Sequence, residues 1–136
     1  MDFPALAQRL IHPRTDTVEA AWAAATNSGY AAIIMGLSHV LLGTLLMASP
    51  APVAAALIQI GVGAVYLILA RVAFRRSRVV SIAILVLIIL DALLELLLSR
   101  GFGLNHVVLI AAFVLAVGGL RGANAVFTRH GRPGLF

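Results

Sequence analysis

Apolar residues fill four long stretches of this chain, separated by short polar or proline-bearing breaks. A bilayer-spanning helix needs about 20 mostly apolar residues, since each residue rises about 1.5 Å and the hydrocarbon core is about 30 Å thick. Four segments meet that length. The first covers about residues 28–48 and ends at Ser49-Pro50-Ala51-Pro52, where proline removes a donor and clashes with a continuing helix. The second covers about 52–74, with Pro52 suited to its first turn. The third covers about 79–98 and is followed by the tight turn Ser99-Arg100-Gly101-Phe102-Gly103. The fourth covers about 104–120.

The flanks read differently. In residues 1–27, Phe3, Leu6, Leu10 and Ile11 alternate with Gln8, Arg9 and Arg14, while Val18, Trp22 and Ala25 share a face. This predicts one or two short interfacial helices, with Trp22 near the headgroups; a frayed terminus is the competing reading. A secretory signal peptide is not expected, because Asp2, Arg9, Arg14, Asp16 and Glu19 leave no apolar run before Ser28. Residues 123–136 are expected to form a cytoplasmic tail, loosely ordered from Thr128 on.

Composition sharpens the membrane reading. Of 136 residues 62% are hydrophobic and only 11% charged, against about 25% charged in soluble domains, so the chain lacks a polar exterior. There is no cysteine, which excludes disulfides and thiolate metal sites. The net charge of +5 would suggest nucleic acid in a soluble protein. Here the ten basic residues are all Arg and flank the apolar runs, so no nucleic-acid role is expected. Arg9 and Arg14 precede the first span, Arg71, Arg75, Arg76 and Arg78 surround the break between the second and third, and Arg121, Arg129 and Arg132 follow the fourth. Only Arg100 lies at the other end. The positive-inside rule therefore predicts cytoplasmic N and C termini. Arg71, Arg75, Arg76, Arg78 and Arg121 are candidate contacts for anionic lipid headgroups.

Lipid supplies no hydrophobic drive between helices, so small residues that permit close approach mark packing seams. Gly29, Gly36 and Gly43 recur every seventh position in the first span, Ala56, Gly63 and Ala70 in the second, and Ala111, Gly118 and Ala125 in the fourth. A seven-residue period makes one stripe and implies left-handed, near-antiparallel packing; chance is a real competitor among so many Gly and Ala. The bulk of the third span either fills space beside the thinner helices or faces lipid. The predicted architecture is an all-α, antiparallel four-helix membrane bundle preceded by an interfacial helix.

Polar residues ride on these seams. His39 falls between Gly36 and Gly43, Gln59 between Ala56 and Gly63, Tyr66 between Gly63 and Ala70, and Arg121 between Gly118 and Ala125. The third span adds Asp91 and Glu95, one turn apart. Counting the rise from the outer helix ends puts Gln59 at ~10 Å, Asp91 at ~12 Å and His39 at ~15 Å, close enough to touch. Glu95 comes out higher, near Asn105 and His106. Tyr66 and Arg121 are expected in the inner half, with Arg121 holding Tyr66, a backbone carbonyl or a lipid phosphate. His12 and His130 are expected to be solvated.

An ionisable group at mid-depth is costly, faces the interior and marks a functional candidate. One reading is an ion or proton site made of His39, Gln59, Asp91 and Glu95, with Glu95 as an outer gate. A second is a neutral His39–Asp91 hydrogen bond that only sets helix register. In a third, the carboxylates meet a partner protein or, for Glu95, snorkel outward. No HxxxH or HxxE spacing supports a metal, no cofactor is implied, and no phosphate loop or nucleophile elbow is present. The leading function is a small proton or cation transporter or channel, homo-oligomeric or partnered in the membrane. An accessory or assembly subunit comes next, and an enzyme third.

Over about half the chain a pattern emerges: Tyr66, then Arg75-Arg76-Ser77-Arg78, an apolar helix, a Gly-containing turn, and Gly118-Gly119-Leu120-Arg121-Gly122 followed by Phe127 and His130. It resembles a family of small four-helix bacterial inner-membrane proteins, whose last helix tends to end in Gly-x-Arg-Gly before a short aromatic and basic tail. Here Asn124-Ala125-Val126-Phe127 interrupts that tail. The resemblance implies four helices and a cytoplasmic C terminus, and it carries no activity.

Overall fold

A computed structural model of the chain describes residues 3–75, 77–98 and 103–129, so Arg76, Arg100, Arg132, His130 and the 99–102 turn lie outside the described residues. All elements among the described residues are helical: α1 (Phe3–Ile11), α2 (Val18–Ala25), α3 (Asn27–Met47), α4 (Val53–Ala73), α5 (Arg78–Leu98) and α6 (Leu104–Arg129). Helices α3 to α6 are long and apolar enough to cross a membrane, and the first of these spans includes α2. Their perimeter carries exposed Leu41, Ile58, Ile68 and Leu97, a surface that suits hydrocarbon and would aggregate in water. The chain is thus a multi-pass membrane protein by its composition and a helical bundle by its structure.

The seam between α3 and α4 brings two backbones together. A Cβ on Gly36 would stand 3.0 Å from the Gly63 carbonyl oxygen, and one on Gly63 would stand 2.7 Å from that of Gly36. At the next step a Cβ on Gly43 would lie 2.8 Å from the Ala56 carbonyl oxygen. Small residues at seven-residue spacing therefore do what close packing in lipid demands. Helix α5 behaves differently: Ile84 and Ile88 are fully buried and fill the centre with Met35, Tyr66, Ala112 and Ala116, while Val79, Leu96 and Leu97 point outward.

The fourth span corrects two expectations. It does not stop near residue 120 but continues as helix to Arg129. Its predicted stripe of Ala111, Gly118 and Ala125 also does not face the central core: Ala111 is exposed, and Gly118 and Ala125 turn toward α1 and α2. The central core receives Ala112 and Ala116 instead, and Gly119 abuts the Ser28 backbone on α3. That face lies one residue along, about 100° around the helix. Gly118 and Gly122 serve a second set of partners, lying against the Leu10 carbonyl and the Ala24–Ala25 backbone. Because α6 packs on α3 and also on α1 and α2, it carries small residues on two adjacent stripes.

The N-terminal segment consists of two short helices, as the alternation suggests. Thr17 caps α2 by accepting from the Ala20 amide at 3.1 Å. Ala21, Ala24 and Ala25 are then buried, Ala21 with Trp22 against Ala125 and Val126 of α6. Thr26 keeps helical angles between α2 and α3, its hydroxyl donating to the Ala23 carbonyl at 2.6 Å. His12 and Arg121 are both exposed, but they are joined: the Arg121 guanidinium donates to His12 Nδ1. His12 is not among the partners that the sequence suggests for Arg121, which are Tyr66, a backbone carbonyl or a lipid phosphate. Removing the bond with His12→Ala is expected to loosen α1 alone, seen as several-fold faster amide exchange across residues 5–11 with the four spans still protected.

Candidate functional site

The site forms where α3, α4 and α5 converge, on the side of the core away from the Arg71–Arg78 end. His39 comes from the glycine-bearing face of α3, Gln59 and Tyr66 from the small-residue face of α4, and Asp91 from α5. Counted from the helix ends at Met47, Val53 and Leu98, the Cα atoms of His39, Gln59 and Asp91 lie roughly 9–12 Å deep. The three meet: His39 Nδ1 lies 2.6 Å from Gln59 Oε1, and His39 Nε2 lies 3.2 Å from Asp91 Oδ2.

Tyr66 joins them, contrary to its predicted place in the other half of the bilayer. Its hydroxyl donates to Asp91 Oδ2 at 2.5 Å, and its ring stacks on the His39 imidazole, with centroids 5.7 Å apart and planes 10° from parallel. The reason is the direction of side chains on a helix, which tilt toward its N terminus. On α4 that tilt lifts the phenol toward Gln59, one seven-residue step away; on antiparallel α5 it lowers the Asp91 carboxyl. The two ends close a gap that Cα levels alone leave open. The stripe of Gln59, Gly63, Tyr66 and Ala70 was the signal.

The partners dictate where the protons stand. Gln59 Oε1 only accepts, so His39 Nδ1 carries a hydrogen and donates to it. A contact between Nε2 and Oδ2 then needs one proton between them. Held on nitrogen it makes an imidazolium–carboxylate pair; held on oxygen it makes two neutral groups. Either form has zero net charge, which suits burial in a weakly polarisable medium. The side chains are 16% exposed for His39 and 21% for Asp91, so the proton is within reach of the space beside them.

That space is a cavity of about 200 Å³. Met35, Ser38, His39 and Leu42 of α3, Gln59 of α4, Asp91, Leu94 and Glu95 of α5, and Asn105, Val108 and Leu109 of α6 line it. Glu95 stands one turn beyond Asp91 toward the helix end, where the exposed Asn105 amide donates to it at 3.4 Å. Ile84 and Ile88 are fully buried below the cluster in the central core. The polar cavity thus extends toward the 98–103 end and an apolar layer closes it from the other.

The remaining candidates gather elsewhere. Arg71, Arg75, Arg78 and Arg121 are exposed and far along their helices from the cluster. Arg78 also lies over the Phe127 ring at 5.4 Å, linking the start of α5 to the end of α6. No group of three or more metal-ligating His, Asp or Glu occurs among the described residues. No protein-family model, curated protein or solved structure matches the chain.

Proposed function

We propose that this protein binds and passes protons across a bacterial inner membrane, with both termini cytoplasmic, through the His39–Asp91 pair. The observation that carries the reading is the shared oxygen: Asp91 Oδ2 meets both His39 Nε2 and the Tyr66 hydroxyl beside a cavity bearing a second carboxylate. A proton that moves between nitrogen and oxygen without changing net charge is cheap to hold in hydrocarbon, and Glu95 offers a stepping point toward the surface. Gln59 fixes the tautomer, Tyr66 steadies the carboxylate, and the exposed arginines meet anionic headgroups.

The test is proton flux in liposomes. Purified protein is expected to collapse an imposed pH gradient faster than empty vesicles, and Asp91→Asn to return the rate to that of empty vesicles. A wild-type rate equal to the empty-vesicle rate refutes the proposal. The second reading, an accessory subunit whose polar cluster only sets register, is favoured by the same four-residue network spanning three helices; it requires recovery in a larger complex and no flux alone.

A further inference from the structure

The walls of the cavity indicate what it takes besides a proton. At about 200 Å³ it is smaller than the roughly 300–1,000 Å³ of pockets for drug-sized ligands. Asp91 and Glu95 supply two carboxyl groups on one face of α5, and no Arg among the described residues lines the space. Leu42, Leu94, Val108 and Leu109 make the facing walls apolar.

This combination disfavours a bare metal ion. Hard cations want about six oxygen ligands in a defined shell. Here Gln59 Oε1 is engaged by His39 and Asp91 Oδ2 by both His39 and Tyr66, and the opposite walls offer hydrocarbon. A cation that carries its own apolar substituents has the complementary demand: one or two carboxylates for the charge and apolar surface for the rest.

We propose that the cavity binds a small organic ammonium ion, its charge between Asp91 and Glu95 and its alkyl groups against Leu42, Leu94 and Val108. The proposal rests on the proton reading above and names the ion against which the proton is exchanged. Before binding, the His39–Asp91 pair holds one proton and is neutral. The incoming cation takes the carboxylate charge, the proton leaves to solvent, and His39 stays neutral. One positive charge enters as one leaves.

The experiment is calorimetric titration of the full chain in nanodiscs with tetramethylammonium chloride, against sodium chloride at equal ionic strength, in two buffers of different ionisation enthalpy. Expected are saturable tetramethylammonium binding, release of about one proton per ion bound, and no displacement by sodium. Glu95→Gln, which keeps an acceptor for Asn105, is expected to weaken binding about tenfold, a loss near 1.4 kcal/mol. Val108→Phe, which narrows the cavity and leaves both carboxyl groups, is expected to weaken it comparably. The wild type failing to bind, full affinity in both variants, or displacement by equimolar sodium overturns the proposal. If Asp91-dependent proton flux persists in liposomes while tetramethylammonium does not bind, the ligand assignment falls alone. If it binds without releasing a proton and no flux is seen, the proton reading falls with the exchange.

Discussion

Gly63→Leu is expected to abolish the folded bundle. A single added carbon at residue 63 already meets the Gly36 carbonyl oxygen at 2.7 Å and the Val40 side chain at 2.7 Å, and an isobutyl group has nowhere to turn. Backbone cannot yield as a flexible side chain can, so α3 and α4 must separate. Over-packing of this kind costs about 1–3 kcal/mol in adaptable cores and more where backbone is the obstacle. In lipid the loss is not recovered by burying the separated faces elsewhere, because packing itself holds the helices together. Gly61→Leu on the same helix is the control: nothing lies within 4 Å of its added carbon. Thermal unfolding in mild detergent is expected to show the Gly61 variant close to wild type and the Gly63 variant without a cooperative transition.

The second large effect separates the two readings of the polar cluster. Asp91→Leu strips the acceptor from both Tyr66 and His39, leaving two polar groups without it in a protein interior. Each such group costs about 1–3 kcal/mol, although hydrogen bonds within membranes average nearer 0.6 kcal/mol. A melting temperature clearly below wild type is therefore expected for Asp91→Leu. Asp91→Asn keeps one acceptor oxygen for the Tyr66 hydroxyl and has nearly the same shape, so its melting temperature is expected within a few degrees of wild type. Proton flux is expected to vanish in both. If flux survives in the Asn variant and tracks only the melting temperature, the cluster is a clamp and not a proton site.

Legibility differed between the levels of structure. The spans were readable because twenty-residue apolar runs and proline breaks are local features, and α3, α4 and α5 begin and end within a residue or two of the predicted points. The α3–α4 seam was readable because both partners carry the same seven-residue repeat. Helix α6 was not, since one repeat cannot say which of two adjacent stripes faces which neighbour, and the demand on Gly118 and Gly122 comes from α1 and α2. In the site, the meeting of His39, Gln59 and Asp91 followed from the seam stripes and the rise per residue together. Tyr66 was misplaced because level was counted at Cα, where a long side chain on a helix of opposite direction reaches well beyond its own turn. The Arg121–His12 bond joins residues 109 positions apart, a separation about which no local pattern speaks.

The docking of α2 on the far end of α6 has a consequence for how the molecule is made. Ala21, Ala24 and Ala25 are covered by Gly122, Ala125 and Val126, which follow them only after the whole of α3, α4 and α5. While α3, α4 and α5 are synthesised, α2 is without that counterpart. That strip of alanines stays uncovered until α6 has been made, so α2 and α6 reach their places together.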